Sequence, residues 1–387
     1  MKSVRRIERR INMAAALRGF ITRSMTVAEV ARECSVSRPS AESILADLDE
    51  LGWLTRREPG ESSRGRPAAT YSLAASAGHV LSVDIGARHI RIICADLGGG
   101  VLVEKALEVS PEIDGDARIR MAVEASRAVR ADTDPGPLLS CTVGSPGVVK
   151  DGIVRFFGGD DMPRWQGCDV GGPFRDALGA AVHVVGDCQL GALGNAWLGA
   201  ASGYSDVVYI LAGVRTGAAC VVDGHVRTGH SGSSGLIGEL EALRWRELER
   251  EQFAVGEYGE EHPRREAIFA AAREGDERAI RAVGEYAHVL ALGAAAMVLT
   301  LDPQCVVVGG AFASQADLFL PRLRDELEHI CPFPPQVVAS DLGVREVALG
   351  GVRHSLDSVA RVLTETALES DYFPSPGELR ESVLRRL

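Results

Sequence analysis

Four residues near the front of the chain, Arg64-Gly65-Arg66-Pro67 within "SSRGRPAAT", have the types and spacing to engage a polyanion. Two guanidinium groups one residue apart and stiffened by proline do not make a flexible spacer, which would be built from Gly and Ser. Gly65 allows close backbone approach and Pro67 keeps the segment extended. Arg64 and Arg66 could then reach along a narrow A·T-rich minor groove, where negative potential concentrates, or to its phosphates. Alone, such a tetrapeptide is usually a solvated basic loop, so its surroundings decide. Metal chemistry has less support. The eight cysteines are scattered with no C-x-x-C pair, and His225 and His230, the closest pair of the nine histidines, flank a Gly-rich turn. No metal and no cofactor are expected.

The preceding residues supply the setting. "RRINMAAALRGFI" has helical periodicity, and in "TVAEVARECSVSRPSAESILADLDELGWL" Thr26 followed by Glu29 spells a capping box. Ser37 reads as a second N-cap with Pro39 in the first turn, and Ile44, Leu45, Leu48 and Leu51 form one apolar stripe. This predicts a helix-turn-helix whose second helix offers Ser37, Arg38, Ser40 and Ala41 to the major groove. An αα-hairpin packed elsewhere is the alternative that the spacing allows. Strand-like segments at 53–57 and 69–73 flank the Arg64–Arg66 loop and favour a winged helix.

Charge divides the chain in the same way. Residues 1–75 hold 13 Lys+Arg against 9 Asp+Glu, and the remainder 29 against 44, out of a total net charge of -11. A basic front suits double-stranded operator DNA, whereas the acidic body would repel it. The apolar run 290–301 is too short to cross a bilayer and the front lacks a signal cleavage site, so a cytoplasmic protein without membrane contact is expected.

From residue 78 onward, "HVLSVDIG", "HIRIICADL" and "GVLVEKALEV" read as three strands, followed by a helix and the strand "LLSCTVGSPG". The series recurs as "DVVYILAG", "TGAACVVDG" and "HVRTG", then helices, then "QCVVVGG". A duplicated α/β unit with a cleft between two lobes follows. The expected divisions are a winged helix over 1–75, a first lobe over 78–205, a second over 206–360 and a tail over 361–387.

In order and spacing, "VDIGARHIRIICADLGG", "VGSPGVVKDG", "VHVVGDCQLGALGNAWLG", "LAGVRTGAACVVDGHVRTG", "GLIGEL" and "LDPQCVVVGGAF" resemble the ROK (repressor, open reading frame, kinase) family, specifically its regulators with an N-terminal winged helix-turn-helix. The resemblance implies an α/β, two-lobed actin-like (sugar kinase) body. It puts Asp187 on the catalytic base of active ROK kinases, Asp161 on a sugar-contacting Asn and Glu239 on a surviving sugar-binding Glu. Departures accompany these matches. Gly186 replaces the sugar-holding Asn, Ala242 replaces a sugar- and zinc-binding His, and the loop that follows contains no cysteine. "DIGARHI" and "GVRTG" carry side chains where phosphate oxygens would need bare backbone.

The expectation is therefore a non-enzymatic transcriptional regulator, a repressor, that senses a sugar or sugar-phosphate effector through Asp161, Asp187 and Glu239 and works as a homodimer or homotetramer. A bifunctional sugar kinase, and a regulator that has lost small-molecule sensing, are the alternatives.

Overall fold

The computed structural model describes residues 2–57, 69–133, 136–213, 215–249 and 265–385. Arg64, Gly65, Arg66 and Pro67 lie outside the described residues. The front of the chain folds as α1 (Lys2–Thr22), β1 (Met25–Thr26), α2 (Val27–Glu33), α3 (Arg38–Glu50), β2 (Leu54–Arg57) and β3 (Thr70–Leu73). The three strands form an antiparallel sheet in the order β1-β3-β2, with Leu54 opposite Leu73 and Arg57 opposite Thr70. These helices and strands make a winged helix. Its local cause is legible: Thr26 Oγ1 accepts from the Glu29 amide at 3.3 Å, while the Thr26 amide donates to Glu29 Oε2 at 2.7 Å.

The body repeats one sheet topology. In the first lobe β4 (His79–Ile85), β5 (His89–Asp96), β6 (Val101–Glu108), β7 (Leu138–Ser145) and β10 (Ala181–Gly186) stand in the order β10-β7-β4-β5-β6. In the second, β11 (Val207–Ala212), β12 (Thr216–Val222), β13 (His225–Val226), β14 (Cys305–Gly309) and β15 (Gln336–Ala339) stand in the order β13-β12-β11-β14-β15. Each has two antiparallel pairings followed by two parallel ones, so the duplication seen in the sequence is a duplication of fold. A hairpin, β8 (Val148–Lys150) with β9 (Ile153–Phe156), projects from the first lobe.

Helices α4 (Gly115–Ala131) and α5 (Gly171–Leu178) belong to the first lobe. Between the lobes runs α6 (Asp187–Leu198). The second lobe adds α7 (Trp245–Glu249), α8 (Arg265–Arg273), α9 (Glu277–Leu301) and α10 (Ala316–Ile330). The apolar run at 290–301 is the end of α9, whose 25 residues are long and apolar enough to span a bilayer by length and composition. Tyr286, Ala287, Leu290 and Ala294 are instead fully buried in the second lobe's core, beside Phe269 and Phe319.

Two elements depart from the expected divisions. α11 (Glu346–Glu369) leaves the second lobe and returns across the first-lobe sheet, packing on β4, β7, α6 and α1. The segment beyond it, ending in α12 (Pro376–Arg385), is not a loose tail: Phe373 and Leu379 are buried. Their core is continuous from the winged helix into the body, joining Met13, Leu17, Phe20, Ile44 and Trp53 to Val80, Leu139, Val359 and Leu363. The winged helix, the head of the molecule, is thus fused to the first lobe rather than hung from a linker.

Candidate functional site

The first site is the exposed end of α3. Ser37 caps it, its hydroxyl accepting from the Ser40 amide at 3.4 Å and lying 2.9 Å from the Ser40 hydroxyl. Arg38 points outward one turn from Glu42, and its Nε donates to Glu42 Oε1 at 3.1 Å. Ala41 does not belong to this surface. It is wholly buried with Ile44, Leu45 and Leu48, because it lies three and four residues before that stripe and shares its face. A groove-reading role for Ala41 is therefore corrected; Glu42 and Ala46 are exposed along with Arg38 and Ser40.

The second site is the cleft between the lobes, about 120 Å³ in volume. Asp187, the first residue of α6, forms part of its wall, and Glu239 stands among the other lining groups together with Phe156, Gln189, Arg215, the Gly232–Gly235 turn and Arg246. Two of the three expected ligand-contacting carboxylates therefore line one cavity. Asp161 joins them indirectly: it is ion-paired to Arg215, whose guanidinium lies 3.9 Å above the Phe157 ring. Glu239 is likewise paired, to Arg246.

Burial pushes the Asp187 carboxyl up to about 6, with the neighbouring Asp84 charge adding to the effect. The Cys188 amide, donating to Asp187 Oδ1 at 2.7 Å, and the charge of Arg215 oppose it. A carboxyl so placed can accept from a ligand hydroxyl.

The positions that the family resemblance assigns to nucleotide phosphates are filled from within. His89 Nε2 is 2.9 Å from Asp84 Oδ2, and its ring covers Gly86 so closely that a Cβ there would stand 2.4 Å from His89 Cε1. Hydrogen bonding to Asp84 raises the His89 pKa above its ordinary value. At the second phosphate turn, Arg215 crosses to the first lobe. In the glycine pair that follows β14, the Gly310 amide donates to Glu346 Oε1 at 2.5 Å. Phosphoryl transfer needs turn amides and the space over them free for a phosphate chain; here the His89 ring occupies the space over Gly86, and Glu346 takes the Gly310 amide.

Sequence reasoning missed Glu346. This residue, the first of α11, is 3% exposed and also accepts from Tyr209 Oη at 2.7 Å and Asn195 Nδ2 at 3.1 Å. It therefore ties α6, β11 and the β14 turn to the start of α11. Close packing continues the joint: a Cβ on Gly350 of α11 would lie 1.8 Å from Leu190 O, and one on Gly194 of α6 2.4 Å from Glu346 O. The only local signal was an acidic residue opening a Gly-Gly-containing amphipathic helix, which identifies no partner. At its other end α11 holds the head, with Arg10 Nε donating to Ala367 O at 2.9 Å. Just beyond it, Trp53 Nε1 donates to Pro374 O at 2.8 Å.

Comparison with known proteins agrees with this architecture. The chain is 20% identical over 329 residues to the xylose repressor of Caldicellulosiruptor bescii, covering 77% of this chain and 82% of that one. To the glucokinase of Thermotoga maritima it is 24% identical over 299 residues, covering 68% and 92%. A crystal structure described as a ROK family transcriptional regulator, homologue of the E. coli Mlc protein, superposes with a TM-score of 0.66 at 21% identity, over 97% of this chain and 99% of that one. The profile of the ROK family matches residues 80–249 and 250–344, so the chain belongs to the ROK family.

Proposed function

We propose that this chain is a sequence-specific DNA-binding transcriptional regulator, a repressor, whose interlobe cleft binds a sugar or sugar derivative without phosphorylating it. The observation that carries the reading is a crowded phosphate turn, with His89 over Gly86, and Arg215 committed to Asp161, in a body fused to a winged helix. The repressor named among its relatives supports the same assignment.

In this reading Asp187 and Glu239 receive hydroxyl groups of the ligand, and Asp161 acts through Arg215. The route from ligand to DNA is α6, then α11, then α1. Asp187 begins α6, α6 is locked to α11 by glycine contacts and by Glu346, and α11 carries the head. Operator affinity changes only as far as the ligand distinguishes two interlobe geometries. A homodimer or homotetramer would present paired heads to a two-fold operator.

A sugar kinase is the second reading, favoured by Asp187 standing in the cleft at the position of the family's base. Thermal-shift screening of mono- and disaccharides and their phosphates, followed by an ATP turnover assay on any stabilising sugar, separates the two. Stabilisation without turnover supports the sensor. Turnover abolished by Asp187→Asn would establish the kinase, and no stabilisation by any sugar would remove the sensing role.

A further inference from the structure

Helix α3 carries an acidic side chain where a polyanion would be met. Arg38 and Glu42 stand one turn apart with side chains 70% and 53% exposed, joined by the 3.1 Å bond from Arg38 Nε. The other acids of the helix are placed differently. Asp47 is taken by Arg9 of α1, whose Nε and Nη2 approach it at 2.8 and 2.6 Å. Asp49 and Glu50 lie at the far end, roughly 16 Å along the axis from Arg38. Glu42 is the sole carboxylate in the first two turns, flanked by the small exposed residues Ser40 and Ala46.

A carboxylate there opposes every sequence-independent contact, because it faces the charge of the phosphates. It suits the major groove only where it meets a donor, and the amino group at cytosine N4 is that donor. The Arg38 fork matches guanine O6 and N7. Its bond to Glu42 runs through Nε and does not use the terminal nitrogens, on a side chain that is largely exposed. The four residues from Arg38 to Glu42 advance about 6 Å along the axis, on the order of two base steps of 3.4 Å.

We propose that Arg38 and Glu42 read neighbouring base pairs as a unit, Arg38 a guanine and Glu42 a cytosine, and that Glu42 rejects non-operator DNA. The inference rests on the DNA-binding reading above and adds the residues that set operator sequence.

The test is selection from a randomised duplex library by the full chain, with wild type, Glu42→Gln, Glu42→Ala and Arg38→Ala compared at one salt concentration. Both positions are solvent-exposed, and circular dichroism verifies folding. Wild type should enrich a half-site with G and C within about two steps. Glu42→Gln should change the C position to A, the base that Gln reads, and Glu42→Ala should lose discrimination there, on the order of tenfold, while its binding to random duplex rises. Arg38→Ala should lose the G. If both Glu42 variants enrich the wild-type motif unchanged, the pair does not read bases and the proposal is overturned. A folded wild type that enriches no sequence overturns the DNA-binding reading itself, and this one with it.

Discussion

Trp53 of the reading head and Pro374, 321 residues later in the chain, are joined by a buried hydrogen bond in which the indole N–H donates to the proline carbonyl at 2.8 Å. The ring is 1% exposed, so head and body share a wall. Trp53→Phe keeps an aromatic ring but leaves the carbonyl unpaired, a loss of about 1–3 kcal/mol. Thermal unfolding should show a lower Tm, and limited proteolysis should release the head sooner. A variant as stable and as resistant as wild type would mean that this contact does not secure the head.

Arg215 and Asp161 hold the lobes together from opposite sides of the cleft, with side chains 21% and 25% exposed. Removing one partner strands the other in a partly desolvated place. Arg215→Ala and Asp161→Asn should each widen the molecule in solution scattering and cost between about 1 kcal/mol, the worth of an exposed pair, and about 3 kcal/mol, that of a buried one. The double variant should do little more than either single one. Full additivity would show that the two groups act independently.

Asp187 supplies a pH signature. Its folded-state pKa, raised to about 6, exceeds the ordinary 3.8, so the folded chain binds a proton that the unfolded chain releases between those values. The contribution to stability is therefore full below about pH 4 and declines as pH rises through about 6, by up to about 3 kcal/mol. Asp187→Asn should be more stable relative to wild type at pH 8 than at pH 4, as chemical denaturation would measure. A difference independent of pH would place this carboxyl in a wetter setting. Sugar binding that uses the ionised form should weaken below about pH 6.

Glu346 makes a prediction at the joint. Glu346→Ala leaves the Tyr209 hydroxyl, the Gly310 amide and the Asn195 amide without their shared acceptor. Each buried donor so stranded costs about 1–3 kcal/mol, whereas Glu346→Gln retains an oxygen for some of them. Denaturant unfolding should rank wild type, Gln and Ala in that order, and the response of DNA affinity to ligand should fall in the same order. An Ala variant with intact stability would remove Glu346 as the pin of the joint.

Features written in neighbouring residues were legible in the sequence. Thr26 with Glu29 and Ser37 with Pro39 set the helix starts, and strand periodicity revealed both halves of the duplicated body. Ala41 is not groove-facing as expected, because its three- and four-residue offset from Ile44 and Leu45 puts it on the buried face. Asp187 and Glu239 could be aligned by motif, but their pairing in one cleft with Arg215 and Arg246 depends on how the lobes meet. The return of α11 and the four-element joint at Glu346 consist of contacts between residues far apart in the chain, for which local patterning carries no signal.

On the proposed function, an operator-binding head is governed by a body that binds a sugar without phosphorylating it. The most direct measurement is fluorescence anisotropy of the full chain on its selected duplex, titrated with the sugar that best stabilises the protein, with and without ATP. Sequence-specific binding that the sugar shifts by about 5- to 150-fold, unchanged by ATP and with no nucleotide consumed, is the expected result. Binding indifferent to sequence, or a shift that requires ATP turnover, would contradict the proposed function.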